Sequence, residues 1–491
     1  MDIASAKQQI KNTVQIYLQK DALGRYRMPL VHQRPVFLLG APGLGKTAIM
    51  QQIADEMGLG LVSYSMTHHT RQSALGLPVI VEKAYGGKTY QVSEYTMSEI
   101  IASVYDCMRT TGKTEGILFL DEINCVSETL SPAMLLFLQY KVFGGHQIPE
   151  GWVVVTAGNP PRFNKSVREF DAATRDRLKV IEVEPNYPAW KAYALDHGVS
   201  RCVISYLDIR PEDFYKVETT VDGLTVVTPR AWEDLSEILQ YHEELGLAVS
   251  EELTTQYLQN KQVARDFAIY YELYQKYRQV YRIDELLQGE WDEAVLAQAR
   301  SAKMDERMSL VSLLLEAVFL HMSRCTLRHD ALAVTVKTLK EHRAELAQPG
   351  DLLTALSGLE DGWRNTANAA PAARQKVYLD LLTMTADWHG CLQGATPFDA
   401  LKACYKQAVA DLQTEVAAAQ TEIGHLLRFL QEAFGKGTEL SMAVNDLTVA
   451  PAATAFLGQF LSTDYFAASR DLLLHRQSEQ LLHQIDLTGL V

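Results

Sequence analysis

The chain lacks clustered cysteines, a surplus of positive charge and any long hydrophobic run. Its 6 cysteines are scattered over 491 residues with no C-x-x-C pair, which excludes the usual zinc spacings and gives no sign of a disulfide framework. The formal net charge of −14 argues against a broad surface for duplex DNA. No run approaches the roughly 18 apolar residues of a membrane span, and the first residues lack the apolar stretch of a signal peptide. We therefore expect a cytoplasmic protein with no membrane span. A nucleic-acid partner is disfavoured, and a local basic stripe stays open.

The most informative segment is a glycine-rich octapeptide at 40–47 that fits G-x-x-x-x-G-K-[ST]. An apolar run (36–39) precedes it and a helical pattern (48–54) follows, which is the strand–turn–helix context of a phosphate-binding loop rather than a chance turn. Backbone N–H groups and the helix start would face the phosphates of a nucleoside triphosphate, taken to be ATP. Lys46 would contact the β- and γ-phosphates, and the Thr47 hydroxyl would bind Mg²⁺. The predicted nucleotide-binding residues are Gly40, Ala41, Pro42, Gly43, Leu44, Gly45, Lys46 and Thr47.

Two further apolar runs end in polar residues. The run at 117–120 ends in Asp121 and Glu122, and the run at 153–157 is followed by Gly158 and Asn159. In a parallel sheet the carboxyl ends of the strands are where ligands collect. Successive strand side chains point in opposite directions, so the two acids need different roles. We predict that Asp121 holds Mg²⁺, that Glu122 polarises the attacking water, and that Asn159 orients that water beside the γ-phosphate.

The pattern of elements predicts several domains. Up to about residue 195, strand-length apolar runs alternate with helical patterns, which predicts a parallel sheet with helices on both faces. Beyond it, a single strand-like stretch (224–227) interrupts an otherwise helical pattern. We predict an α/β nucleotide-binding domain at 1–195, a small helical lid at 196–245 and a large all-α region at 246–491, which would serve as a partner-docking module.

One segment of the all-α region has a regular apolar seam. Its residues lie three or four apart between Leu401 and Leu430, so they share one helix face. A coiled-coil dimer would use this face, and so would a helix packed within its own bundle; we favour the bundle.

Together these motifs resemble those of MoxR-type AAA+ ATPases over about residues 5–245. The motifs that carry the resemblance, beyond the phosphate loop, are Leu-Asp-Glu-Ile-Asn (120–124), Gly-Asn-Pro (158–160), Asp-Arg-Leu (176–178), Tyr-Pro (187–188) and Thr-Pro-Arg-Ala (228–231). The stretch 75–92 is similar to the insertion that this family places within its second helix. One departure is Cys125, which stands where these proteins usually have an arginine that serves contacts between subunits.

The resemblance implies roles for three residues. Asn159 is similar to the sensor 1 residue, Arg230 to the sensor 2 arginine, and Arg177 to the arginine finger that completes the active site of a neighbouring subunit. A finger acting in trans implies a homo-oligomeric ring, usually a hexamer. Arg175 competes with Arg177, because residues two apart on a helix do not face the same way.

Three functions follow as alternatives. The leading one is a Mg²⁺-dependent ATPase that remodels, assembles or activates a partner; the resemblance implies a protein with a von Willebrand factor A domain. A nucleic-acid motor or helicase loader is the second, and the acidic balance counts against it. A nucleotide-gated scaffold with negligible turnover is the third, and the set of Asp121, Glu122 and Asn159 argues against it.

Overall fold

The structure, a computed structural model, describes residues 1–68, 74–163, 167–220, 223–346, 352–370, 372–392 and 397–471. The chain divides into two compact units. The first comprises Met1–Lys191 and Pro211–Ala264, and the second comprises Ala192–Arg210 and the described residues from Arg265 onward. The sequence-based boundaries at 195 and 245 stay a prediction.

The elements are numbered in chain order. The strands are β1 (Val36–Gly40), β2 (Gly60–Ser65), β3 (Pro78–Tyr85), β4 (Lys88–Tyr95), β5 (Gly116–Asp121), β6 (Val142–Phe143), β7 (His146–Gln147), β8 (Trp152–Gly158), β9 (Lys179–Val183), β10 (Lys216–Thr220) and β11 (Gly223–Val227). The longer helices are α1 (Ile3–Tyr17), α2 (Ala48–Met57), α3 (Glu99–Thr111), α4 (Ser131–Tyr140), α5 (Ala172–Asp176), α6 (Tyr187–Asp196), α7 (Arg201–Ile209), α8 (Pro229–Leu245), α9 (Glu251–Leu258), α10 (Lys261–Val280), α11 (Ile283–Gln288), α12 (Glu293–Ser301), α13 (Met304–Glu341), α14 (Arg343–Leu346), α15 (Leu352–Ala369), α16 (Ala372–Cys391), α17 (Pro397–Phe434), α18 (Thr438–Val449) and α19 (Pro451–Gln459).

A five-stranded sheet forms the centre of the first unit, in the order β2-β5-β8-β1-β9. Every neighbouring pair is parallel, so the carboxyl ends of β1, β5 and β8 lie at one edge. The apolar runs at 36–39, 117–120 and 153–157 coincide with β1, β5 and β8, and the α/β class predicted for this region is confirmed.

The two faces of the sheet carry separate apolar cores, as expected where helices cover both. Alternate side chains of β5 divide between them: Ile117 and Phe119 pack with residues of α1 and α2, whereas Leu118 and Leu120 pack with residues of α3 and α4. This alternation holds β5 from both sides and fixes the position of the polar residues at its end.

In the described part of the chain, three two-stranded antiparallel hairpins stand outside the sheet. One pairs β3 with β4, in the stretch that the sequence identifies as an insertion, and a shorter one pairs β6 with β7. The third pairs β10 with β11. The segment predicted as a helical lid therefore contains a hairpin as well as helices. The sequence does not reveal β10, because this strand is rich in threonine and charged residues and has no apolar run.

The second unit is helical, and α13 is its central helix. It packs against α7, α11, α16, α17, α18 and α19, and residues on several of its faces are buried. The seam of α17 is buried too, from Leu401 to Leu430, within this unit. The bundle interpretation of the seam is therefore confirmed.

Among the described residues, α13 is long and apolar enough to cross a membrane by length and composition, as is the pair α18 and α19 taken together across a 72° bend. The core helix of a bundle meets the same criteria, and 56% of the apolar window of α13 is buried inside the unit. The expectation of no membrane span stays a prediction.

A buried ion pair joins α7 to α18. Arg201 Nη1 lies 2.9 Å from Asp446 Oδ2, both side chains are almost fully buried, and the guanidinium lies over the ring of Phe319. Helix α7 is also held by Tyr270, whose hydroxyl is 2.7 Å from Ser205 Oγ.

Removing one partner of this pair leaves the other charge buried and uncompensated. We expect Arg201→Met or Asp446→Leu alone to lower the free energy of unfolding by about 3–5 kcal/mol, and the double variant to recover most of that loss. Urea denaturation followed by circular dichroism measures it. The control is Arg210→Met, which breaks the more exposed pair with Asp266 and should cost about 1 kcal/mol or less. Equal losses in R201M and R210M would contradict this assignment.

Candidate nucleotide-binding site

The glycine loop connects β1 to α2, and two of its glycines adopt conformations that other residues avoid. Gly43 has a φ of +76° and Gly45 a φ of +82°, both in the left-handed region. A Cβ at Gly43 would also lie 2.6 Å from Cβ of Thr228. The loop therefore needs glycine at 43 for its backbone path and for the close approach of the segment that precedes α8.

Lys46 is the buried cation of the site. Its side chain is 7% exposed, and Nζ donates to the carbonyls of Gly40 at 2.8 Å and Ala41 at 2.7 Å and to Asn159 Oδ1 at 3.0 Å. Burial lowers the pKa of Lys46 from 10.5 to about 8; the Asp121 carboxylate opposes this shift and the Arg230 charge adds to it. The three oxygens that accept hydrogen bonds from Lys46 are neutral, and an anionic phosphate would stabilise the charge much better.

The two predicted metal ligands are in contact. Thr47 Oγ1 donates to Asp121 Oδ2 at 2.8 Å. A hydroxyl and a carboxylate oxygen are the donors that Mg²⁺ accepts, and Mg²⁺ commonly takes only one or two protein ligands with water and phosphate oxygens as the rest. The residues present thus fit a magnesium ion. Within the described residues there is no cluster of three or more His, Cys, Asp or Glu that would hold a metal by itself.

Glu122 lies just beyond β5 in an unusual backbone conformation. Its φ of 54° and ψ of 37° are left-handed, and its N–H donates to Asp121 Oδ1 at 2.9 Å. Such strain costs on the order of 1–3 kcal/mol and is typical of functional positions. Ser65, at the end of β2, contacts the carboxylate: Ser65 Oγ is 3.3 Å from Glu122 Oε2.

Asn159 follows β8 and reaches the glycine loop through Lys46. Its backbone carbonyl accepts a hydrogen bond from Asn124 Nδ2 at 2.8 Å. The structure therefore brings together Lys46, Thr47, Asp121, Glu122 and Asn159, from three strand ends.

Arg230 begins α8 beside the glycine loop. Its backbone N–H donates to the Gly43 carbonyl at 3.3 Å, its side chain is exposed, and its charge is near enough to lower the pKa of Lys46. The cap of α8 is Thr228, whose Oγ1 accepts from the N–H of Ala231 at 3.2 Å. This places Arg230 at the phosphate loop, where a sensor 2 residue is expected.

The two finger candidates have different partners. Arg175 Nη2 lies 3.3 Å from Glu182 Oε1 in the same chain. Arg177, just after α5, is exposed, and its Nη1 donates to the carbonyl of Ala173 at 3.3 Å. Neither arginine contacts the residues of the glycine loop in the described structure, so Arg177 as a finger in trans stays a prediction.

Cys125 lies three residues after Glu122 and is half-buried. Burial raises the pKa of the thiol above 9.0, and the carboxylates of Glu122 and Asp121 raise it further. At the position where MoxR-type proteins usually have an arginine, this chain therefore has a neutral thiol.

Sequence reasoning missed three residues of the site: Ser65, Asn124 and Thr228. Asn124 and Thr228 lie within the motifs Leu-Asp-Glu-Ile-Asn (120–124) and Thr-Pro-Arg-Ala (228–231), so their polar character is a usable signal. Ser65 ends an apolar strand beside Asp121 in the sheet register, and only the strand order reveals that neighbour.

The pKa of Lys46 makes nucleotide binding depend on pH. Bound phosphates favour the protonated amine, and the free protein loses that proton as the pH rises through about 8. We therefore expect the protonation of Lys46 to leave the apparent ATP affinity unchanged below pH 8. Above pH 8 the affinity should fall, and the decrease should approach tenfold per pH unit. Calorimetric titration from pH 7 to 9.5 measures this. Lys46→Arg keeps its charge throughout, so an equal fall in that variant would contradict the role of Lys46.

Comparison with known proteins places this site in a family. Residues 35–178 match the family model of the AAA domain, dynein-related subfamily. The matched segment runs from just before β1 to just before β9 and contains the glycine loop, Asp121, Glu122, Asn159 and Arg177. A search of curated proteins gave no match. With the parallel sheet and the phosphate loop at its edge, the match supports an AAA domain at residues 35–178 and, in general, a nucleotide-dependent activity.

Proposed function

We propose that the chain is a MoxR-like, Mg²⁺-dependent ATPase that works as an oligomer, with a hexameric ring as the expected form, and remodels, assembles or activates a partner protein. The observation that carries this is the convergence of Lys46, Thr47, Asp121, Glu122 and Asn159 at one edge of the sheet. A scaffold that only bound nucleotide would need the loop but not a carboxylate poised at the end of β5.

The chain's own residues account for each part of the reaction. Lys46 leaves the carbonyls of Gly40 and Ala41 to bind the β- and γ-phosphate oxygens. Glu122 accepts a hydrogen bond from water and draws its proton as the oxygen attacks the γ-phosphorus, while the bond to the bridging oxygen of ADP breaks. Asn159 orients that water with an uncharged amide. Held by Thr47 and Asp121, Mg²⁺ would neutralise charge developing on the phosphates.

Arg230 and Arg177 would supply two further positive charges near the phosphates of the nucleotide. Arg230 approaches the phosphates from the start of α8, so a nucleotide with and without its γ-phosphate would hold that helix differently. Arg177 would reach the nucleotide of a neighbouring subunit, and an arginine in that position is worth about 10³–10⁵ in rate. Its exposure supports this role.

The proposed partner is a protein carrying a von Willebrand factor A domain, on the resemblance to MoxR-type proteins. We propose the helical second unit as the docking module, because it is large and contributes none of the predicted site residues. The cytoplasm is the proposed location.

The first test replaces the proposed base. Glu122→Gln should lower ATP hydrolysis by at least about 100-fold while leaving ATP affinity within a few-fold, since the amide keeps the shape and loses the proton acceptor. Phosphate release and ATP titration measure the two quantities. The control is Glu128→Gln, an exposed acid on the same loop that pairs with Arg168, which should keep full activity. Unchanged hydrolysis in E122Q would overturn the proposed reaction.

The second test asks whether the site is shared between subunits. Arg177→Ala and Glu122→Gln should each be inactive alone, and mixing them should restore activity, because a mixed ring contains sites with an intact base and an intact finger. Arg175→Ala provides the matched control: it removes an arginine held by Glu182 in its own chain and should stay active. An inactive mixture, or an inactive R175A with an active R177A, would contradict the assignment.

A further inference from the structure

Asn124 is a buried amide at the centre of the site, and the proposed reaction gives it no role. It lies on the 3₁₀ turn Ile123–Cys125, which follows Glu122 directly. Its side chain is 4% exposed. A polar side chain so deeply buried is normally retained for the hydrogen bonds it makes.

Two hydrogen bonds of Asn124, one made by its side chain and one by its backbone, join three segments. Nδ2 of Asn124 donates to the backbone carbonyl of Asn159 at 2.8 Å. Its own carbonyl accepts from the N–H of Arg168 at 2.9 Å, in the stretch leading to α5 and Arg177. The turn after Glu122, the end of β8 and the start of the finger segment thus meet at one residue.

The carbonyl of Asn159 has a special need for this partner. Strand β8 ends at Gly158, so the carbonyl of Asn159 lies beyond the last residue of the strand. Asn124 supplies the hydrogen bond to this carbonyl. Since the Asn159 side chain reaches Lys46 Nζ at 3.0 Å, fixing its backbone also fixes the direction of its amide.

Gly158 allows the amide of Asn124 to lie close to the strand. A Cβ at Gly158 would be 2.4 Å from Oδ1 of Asn124 and 2.7 Å from its Cγ. No residue other than glycine fits at position 158 without moving the Asn124 side chain. Oδ1 receives no hydrogen bond from the described residues, so the donor Nδ2 is the group that makes the specific contact.

We propose that Asn124 is a positioning residue, which holds Asn159 in the orientation that places its amide beside the γ-phosphate. This inference rests on the proposed ATP hydrolysis. A displacement of about 1 Å at a reacting group can cost on the order of 100-fold in rate, so the effect belongs in kcat, while the glycine loop keeps the affinity for ATP.

The experiment compares Asn124→Ala with Asn159→Ala and with the double variant. N124A should lower kcat roughly 10- to 100-fold and leave KM for ATP within about twofold. Because Asn124 acts through Asn159, the double variant should be no slower than N159A alone. A multiplicative loss in the double variant would overturn the inference.

A structural control removes a different buried hydrogen bond from the same strand. Thr156 Oγ1 donates to the carbonyl of Val36 at 3.0 Å, so Thr156→Val should lower the melting temperature and keep kcat within about twofold. Equal kcat losses in T156V and N124A would show that destabilisation alone explains both, and would overturn the positioning role.

Gly158→Ala tests the same contact if N124A does not fold. The added methyl should displace the Asn124 amide and lower kcat as N124A does, with ATP affinity kept; full activity of G158A would overturn the inference.

Glu122→Gln distinguishes a failure of the positioning role from a failure of the proposed function. If N124A is fully active while E122Q is inactive, the positioning role fails and the proposed function stands. If the wild type shows no Glu122-dependent hydrolysis, the proposed function fails and the positioning role fails with it.

Discussion

The structure of the site depends on one buried ammonium. Lys46 is held by two backbone carbonyls of the glycine loop and by the side chain of Asn159, and burial depresses its pKa to about 8. Desolvating a cation among neutral acceptors is unfavourable, and an anionic ligand relieves that cost. The glycine conformations, the parallel sheet and the approach of α8 all serve to place this charge where phosphates can reach it.

The sequence was sufficient for this part because each element carries its own local signal. The glycine loop is contiguous, with apolar residues before it and helix formers after it. The acids at 121–122 and the amide at 159 end buried strands, and parallel strands bring their ends together without further information. The observed strand ends differ from the ends of the apolar runs at 36–39, 117–120 and 153–157 by no more than one residue. The α/β class follows from the alternation of strand-length apolar runs with helical patterns.

Other contacts lie beyond a reading of local pattern. Ser65 meets Glu122 because β2 is the neighbour of β5, and strand order is a long-range property. Asn124 looks like an ordinary polar residue in the sequence, and its contact with the carbonyl of Asn159 emerges only from the position where β8 ends. Strand β10 has no apolar run, and its pairing with β11 emerges only from the hairpin. Helix α7 belongs to the second unit, where Arg201 is buried against Asp446, and no period in the sequence announces this ion pair.

The central claim is that the Lys46 ammonium is the principal charge that binds the nucleotide. Equilibrium dialysis of ATP with the wild type and with Lys46→Met, at pH 7 and with Mg²⁺ present, tests it most directly. We expect the wild type to bind one ATP per chain and the variant to bind at least about 100-fold more weakly, the scale of a lost charge-assisted contact with phosphate. Equal affinity in the two proteins would contradict it.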